Sequence, residues 1–194
     1  MDFDFFRHYW RGRLLARLGR RRPAIAAYEA ALVRAPQDPR VLRALGYLYG
    51  EEGDFRTAED YLTKAIALAP DAVSWFNLGY LRERRGRIEE AIEAFREAVR
   101  LDPQLDRAWY GLGLSEARLG RHAAAVAALE QAAVRQPRNP HVWYALGLAH
   151  HHAHAPDKVE AVARHLLRYH PLVCKKLIQD TGRADLAHLV RELE

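Results

Sequence analysis

Residues 72–105 read AVSWFNLGYLRERRGRIEEAIEAFREAVRLDPQL. Apolar and small residues recur at helical spacing in both halves of this stretch: Trp75, Leu78 and Gly79, then Ala91, Phe95 and Ala98. Gly86 lies between the halves, where a helix can end in a left-handed residue at little steric cost. Pro103 stops the second helix and restricts the residue before it. The stretch therefore predicts a helical hairpin of 34 residues.

Two markers of this hairpin recur along the chain with one shared period. The glycines are Gly12, Gly46, Gly79, Gly113 and Gly147, and the prolines are Pro36, Pro70, Pro103, Pro137 and Pro171. In both series the successive intervals are 34, 33, 34 and 34 residues. Repetition at this length indicates a solenoid, whose stacked units leave an extended surface for binding. The predicted units are 5–38, 39–71, 72–105, 106–139 and 140–173, followed by a C-terminal cap over 174–194.

The pattern resembles the tetratricopeptide repeat, whose signature is tryptophan, leucine-glycine, tyrosine and glycine, then alanine, an aromatic residue, alanine and proline. The resemblance covers residues 5–173 in five units. It implies an all-α superhelical solenoid of five helical hairpins with one or two C-terminal capping helices, in a single domain over residues 1–194.

The first and fifth units depart from this signature. The first has His8 and Arg11 where tryptophan and leucine are expected. The fifth has His154 in place of the turn glycine, and Val159 and Leu166 in place of the two alanines. We therefore expect its second helix to pack irregularly.

Composition narrows the class of protein. Of the 194 residues 49% are hydrophobic, which is enough for a folded core, and no run of 18 apolar residues could span a bilayer. The N-terminus begins with acids and is not typical of a secretory signal. The single cysteine, Cys174, is expected to be a small buried residue and suits a reducing compartment. We therefore expect a cytoplasmic protein, or an anchored one that faces the cytoplasm. Arginine outnumbers lysine by 26 to 4, as in GC-rich bacterial genomes, so we expect a bacterial source.

The resemblance also implies a binding face, because in this family the first helix of each hairpin lines the inner groove. Successive turns of those helices carry aromatic and apolar residues with arginines: Tyr9, Arg13, Arg43, Tyr47, Phe76, Tyr80, Arg84, Tyr110, Leu114, Arg118, Tyr144 and Leu148. Tyrosine offers a large contact area, and arginine binds carboxylates in bidentate fashion. We expect a non-enzymatic adaptor that binds a peptide or helix of a partner protein, acidic and with apolar anchors. The asparagine and lysine typical of carboxylate-clamp domains do not occupy these positions.

The N-terminal segment suggests an alternative. Residues 1–38 carry a net charge of +4, and Phe3, Phe5, Phe6, Tyr9 and Trp10 lie among their arginines. These aromatic residues could simply cover the open end of the first unit. They could also mediate self-association into a structural assembly, or contact anionic lipid. No base-reading motif accompanies the charge, so we expect no nucleic-acid partner.

Metal binding and catalysis have little support in the sequence. His150 and His154 would supply two ligands on one helical face, but a structural zinc site needs four. The two serines, Ser74 and Ser115, both lie inside first helices, and the chain has neither a glycine-rich phosphate loop after a strand nor a His-Glu-x-x-His motif. We therefore predict no enzymatic activity, no cofactor and no metal.

Overall fold

A computed structural model describes residues 2–193 of the chain, and their side chains as far as Arg191. The helices are α1 (Phe3–Arg17), α2 (Arg21–Arg34), α3 (Pro39–Glu51), α4 (Phe55–Leu68), α5 (Ala72–Arg84), α6 (Ile88–Leu101), α7 (Asp106–Arg118), α8 (His122–Arg135), α9 (Pro140–His152), α10 (Pro156–Tyr169) and α11 (Pro171–Asp180). A 3₁₀ helix, Ala184–Leu193, ends the described chain. No described residue lies in a strand, so the predicted all-α fold is confirmed.

The helices form two compact units, which divide between Asp102 and Pro103. The first contains the hairpins α1–α2, α3–α4 and α5–α6. The second contains α7–α8 and α9–α10, with α11 and the 3₁₀ helix packed after them. The five predicted hairpins and their C-terminal cap are therefore present. That the two units form a single solenoid domain over residues 1–194, with the predicted unit boundaries, stays a prediction, and Met1 and Glu194 lie outside the described residues.

Each hairpin closes over one glycine of its first helix. A Cβ atom built on Gly79 would lie 2.8 Å from the ring of Phe95, closer than real Cβ contacts. Gly46 is covered in the same way by Leu62, which is fully buried. The glycine is needed because its missing side chain makes room for the large residue of the second helix. This close approach is the reason for the 34-residue glycine period.

The turn between the two helices of a hairpin requires a left-handed residue. Gly86 adopts the left-handed conformation with φ 75°, and its counterparts in the first, second and fourth hairpins are also glycines with positive φ. In the fifth hairpin His154 holds this conformation, with φ 56°. It is the one non-glycine residue with positive φ in the described chain. The turn is therefore preserved in the fifth hairpin, although a side chain makes it less favourable.

The second helix of the fifth hairpin is regular in itself, but its packing departs from that of the other hairpins, as the sequence predicted. Helix α10 is continuous, and Val159 and Leu166 are buried in it. The position that faces Gly147 from the second helix holds the small residue Ala163, and Leu177 from α11 fills the space instead. The cap helix thus completes the core of the last hairpin. It begins at Pro171, inside the segment that the sequence assigned to the fifth unit.

Candidate functional site

The first unit exposes two tyrosines at the same register of neighbouring first helices. Tyr47 of α3 is 52% exposed and Tyr80 of α5 is 43% exposed, although both are large aromatic residues. Neither makes a hydrogen bond or ring contact within the described chain. Arg84, one turn beyond Tyr80, is exposed and has no ion-pair partner among the described residues. We call these three residues the exposed tyrosine face.

Four other predicted site residues of the first unit are partly engaged within the fold. The ring of Tyr9 stacks on Phe5 at 5.9 Å and lies under the Arg40 guanidinium at 5.2 Å. Arg13 is exposed and lies over the Trp10 ring. Arg43 forms an ion pair with Asp71, with 3.0 Å between Nη2 and Oδ2. Phe76 is half-buried against Phe95.

The structural reason for the Arg43 contact lies at the start of α5. Asp71 caps this helix by accepting hydrogen bonds from the Ser74 backbone N–H at 3.0 Å and from the Ser74 hydroxyl at 2.6 Å. Carboxylates at helix N-termini are stabilised by the exposed N–H groups there. Arg43 therefore helps to hold α3 against α5, and the sequence pattern alone did not indicate this role.

Three arginines fix the end of α5 and the following turn. Arg82, Arg85 and Arg87 all donate to the Glu59 carboxylate of α4. Burial raises the pKa of Glu59, but the hydrogen bonds and charges of Arg87 and Arg82 outweigh this and leave the pKa below its ordinary value. Arg84, next to this cluster in sequence, is exposed to solvent.

In the second unit the C-terminal cap covers one predicted site residue. The Tyr144 hydroxyl donates to Asp180 of α11 at 2.5 Å, and Lys176 Nζ lies 5.2 Å from the centre of its ring. The hydrogen bond to the carboxylate raises the pKa of Tyr144 to about 12. The other predicted residues of this unit are half-buried, except the exposed Arg118: Tyr110, Leu114, Leu148 and Arg118.

The N-terminal helix leaves an apolar stripe exposed. Trp10 is 55% and Leu14 60% exposed, and Phe3 lies on the same side of α1. Exposed arginines flank this stripe. The four residues that occupy the Leu14 position in the later hairpins are all buried: Leu48, Leu81, Ser115 and Ala149. Helix α1 therefore exposes a position that is buried in each of the four later first helices.

The histidine cluster does not converge. His150 is buried, His152 stacks on His122 at 5.1 Å, and His154 lies in the turn. Among residues 2–193, no three His, Cys, Asp or Glu side chains are placed to hold a metal ion. Cys174 is fully buried, as predicted, and its thiol donates to the Ala163 carbonyl. Burial raises the pKa of that thiol, which makes the thiolate less accessible.

Five hairpins with a glycine at each helix crossing, and a left-handed turn inside each hairpin, define a tetratricopeptide repeat protein. The sequence model of the family described as the Cilia and flagella-associated protein 70 C-terminal domain matches residues 8–171, and the chain belongs to this family.

Solved structures share the fold. The crystal structure of MamA superposes with a TM-score of 0.78 at 23% identity, over 96% of this chain and 98% of that one. The structure of YrrB, described as a TPR protein with an unusual peptide-binding site, has a TM-score of 0.77 at 16% identity, over 89% of this chain and 90% of that one. At these identities the likeness shows the tetratricopeptide repeat solenoid fold alone.

A curated relative matches over a shorter segment. The peroxisomal targeting signal receptor of Eremothecium gossypii is 38% identical over 72 residues, which are 37% of this chain. The matched segment spans 13% of the length of that receptor. Within the described residues no helix is both long enough and apolar enough to cross a membrane.

Proposed function

We propose that this chain is a non-enzymatic interaction adaptor that binds a peptide or helix of a partner protein on the exposed tyrosine face. The observation that carries the proposal is the exposure of Tyr47 and Tyr80, at equivalent positions of adjacent helices and without internal partners. Exposed aromatic residues of this kind are typical of interaction sites, because they bury a large area with little loss of conformational entropy.

The arginines indicate the chemistry of the ligand. Arg84 lies one turn from Tyr80 and is free to form a bidentate pair with a carboxylate. An acidic peptide with apolar anchors is therefore the partner we propose. Phe76 is included in this site of the first unit. In the second unit, Tyr110 and Tyr144 occupy the register of Phe76, and Arg118 occupies that of Arg84, so we propose these three residues as a binding surface of that unit.

Two further attributes belong to the same proposal. The family consists of repeat domains, and YrrB is described as having a peptide-binding site, which favours a scaffold over an enzyme. We also propose a cytoplasmic location in a bacterium, from the single cysteine and the arginine bias.

The test is affinity capture with the full chain, followed by mass spectrometry and by binding measurements on the partner identified. The double variant Tyr47→Ala/Tyr80→Ala should weaken binding of that partner at least tenfold while helicity is unchanged. The matched control is Leu68→Ala/Leu101→Ala, which removes two exposed apolar side chains from second helices of the same unit. Equal binding by the tyrosine variant and the wild type would place the site elsewhere.

A second candidate function is self-association through α1. It is favoured by Leu14, which is 60% exposed whereas the equivalent residues are at most 3% exposed. Sedimentation velocity between 1 and 100 micromolar (roughly the range in which weak dimers form) should then show a concentration-dependent species. Leu14→Glu should abolish that species. A monomer throughout this range would reject the second candidate.

A further inference from the structure

Successive second helices form a groove above the first helix that lies between them, and the chain contains this groove in two forms. The α4–α6 groove lies over Trp75 of α5 and has a volume of about 270 Å³. The α8–α10 groove lies over Trp143 of α9 at the equivalent place and has a volume of about 610 Å³. The two grooves can be compared directly, because equivalent helices and an equivalent tryptophan frame both of them.

Charged side chains fill the α4–α6 groove. Arg82 is held there by Glu59 at 3.2 Å and lies 3.7 Å from Glu90. Glu93 and Glu97 line the opposite wall. The charged groups of these residues pair with other charges or face solvent, and their side chains cover most of the apolar surface of the groove.

Three of the corresponding positions in the α8–α10 groove carry neither a carboxylate nor a guanidinium. His150 replaces Arg82, Ala161 replaces Glu93, and His165 replaces Glu97. The ring of His165 stacks on Trp143 at 3.6 Å, and its Nε2 contacts the Pro137 carbonyl at 2.9 Å, so it forms part of the wall. The three replacements open an apolar space that the repeat pattern closes in the other groove.

His150 lies at the bottom of this space and is 94% buried as a residue, with 6% exposure. Its imidazole makes no hydrogen bond with the described residues. The Glu130 Oε1 atom lies 3.9 Å from His150 Nε2, too far for a hydrogen bond. Because His150 lines the groove and its ring makes no hydrogen bond with the described residues, the imidazole is placed to bond a ligand there.

The charges around the groove favour a neutral ligand. Burial lowers the pKa of His150 below its ordinary value, Glu130 opposes this and Lys158 adds to it. The neutral ring offers one donor and one acceptor. Glu130 and Lys158 line the groove with opposite charges, so its lining selects neither an anion nor a cation.

We propose that the α8–α10 groove is a second binding site of this chain, and that it takes a tyrosine side chain from a partner peptide. In this proposal the aromatic ring contacts Trp143, Leu146 and Val162, which line the groove, and its hydroxyl donates a hydrogen bond to the unprotonated ring nitrogen of His150. A single phenol ring fills only part of 610 Å³, and the neighbouring residues of a peptide occupy the remainder. This site is separate from the exposed tyrosine face and does not depend on it.

The experiment is a titration of the full chain followed by NMR, with the indole N–H of Trp143 as the reporter. Three probes are compared: acetylated and amidated tripeptides alanine-tyrosine-alanine and alanine-phenylalanine-alanine, and para-cresol. The tyrosine peptide should bind about tenfold more tightly than the phenylalanine peptide, because one hydrogen bond is gained. Equal affinities for the two peptides, or an unshifted Trp143 signal, would overturn the proposal. If para-cresol binds as tightly as the tyrosine peptide, the site recognises a small phenol, and the proposal that it takes a tyrosine of a peptide is wrong.

Substitutions distinguish a loss of binding at the groove from a general loss of folding. Ala161→Glu restores the acid found in the α4–α6 groove and should abolish binding of the tyrosine peptide. Its matched control is Ala124→Glu, the same change on the exposed side of α8 and away from the groove, which should bind as wild type does. His150→Leu should remove the preference for tyrosine over phenylalanine. If this buried substitution prevents folding, the exposed Ala161→Glu pair still decides the question.

Discussion

Leu177 of the cap helix packs directly on Gly147 of the fifth hairpin: a Cβ atom built on Gly147 would lie 2.6 Å from Leu177 Cδ2. In the second, third and fourth hairpins, the residue that covers this glycine belongs to the hairpin itself, as Leu62, Phe95 and Leu129. The last hairpin therefore depends on a side chain from outside its own repeat.

Leu177→Ala should lower the free energy of unfolding by about 2–5 kcal/mol, because it removes a fully buried side chain and leaves a cavity. Urea denaturation followed by circular dichroism measures the loss. Leu172→Ala on the same helix is the control, since Leu172 is 76% exposed and its loss should be nearly neutral. Equal effects of the two variants would contradict the role given to Leu177.

Gly79→Ala should destabilise the first unit by about 1–3 kcal/mol, because the new methyl group would overlap the Phe95 ring. The double variant Gly79→Ala/Phe95→Ala should lose less than the sum of the two single variants, since the smaller partner relieves the overlap. The measurement is the set of four unfolding free energies. Strict additivity would show that the two residues do not share a contact.

His154→Gly should raise the melting temperature. A left-handed histidine is strained by about 1–2 kcal/mol, and glycine relieves this at a smaller entropic cost. Gly120→Ala in the fourth hairpin is the reverse experiment and should lower the melting temperature, because Gly120 has φ 71°. A lower melting temperature for His154→Gly would mean that the imidazole contributes more than the backbone strain costs.

The Tyr144 hydroxyl should remain protonated to unusually high pH. Its pKa is raised to about 12 above the ordinary value near 10, so the contribution of its hydrogen bond to stability is complete below pH 10 and is lost as the pH rises through about 12. Absorbance at about 295 nm, where phenolate absorbs, should show one fewer group titrating near pH 12 in Tyr144→Phe. Tyr49→Phe should remove a second such group, because its bond to Glu29 also raises the pKa to about 12.

The regular part of this fold could be predicted from the sequence because one geometric demand recurs in every hairpin. The glycine of each first helix and the left-handed turn glycine are both imposed by backbone packing, so a short pattern records them. Phe95 and Gly86 could be assigned without coordinates for this reason.

The candidate sites depended on contacts that the pattern does not contain. The pairing of Tyr144 with Asp180, 36 residues away, follows from the position of α11, and no repeat records that position. The ion pair of Arg43 with Asp71 was missed because arginine and aspartate usually lie at the surface without a fixed partner. Only the packing of their helices brings these two side chains together. From the sequence, His150 was considered only as a metal ligand. Its burial beside the α8–α10 groove required the coordinates, and the comparison of Ala161 with Glu93 explains why that groove is open.

The shared core of α9, α10 and α11 has a consequence for the modularity of the chain. Because Leu177 fills the fifth hairpin, α9, α10 and α11 have to stay together for Gly147 to remain covered. An array lengthened by inserting a hairpin between α9–α10 and α11 would separate Gly147 from its cover. One lengthened before Pro140 would keep it.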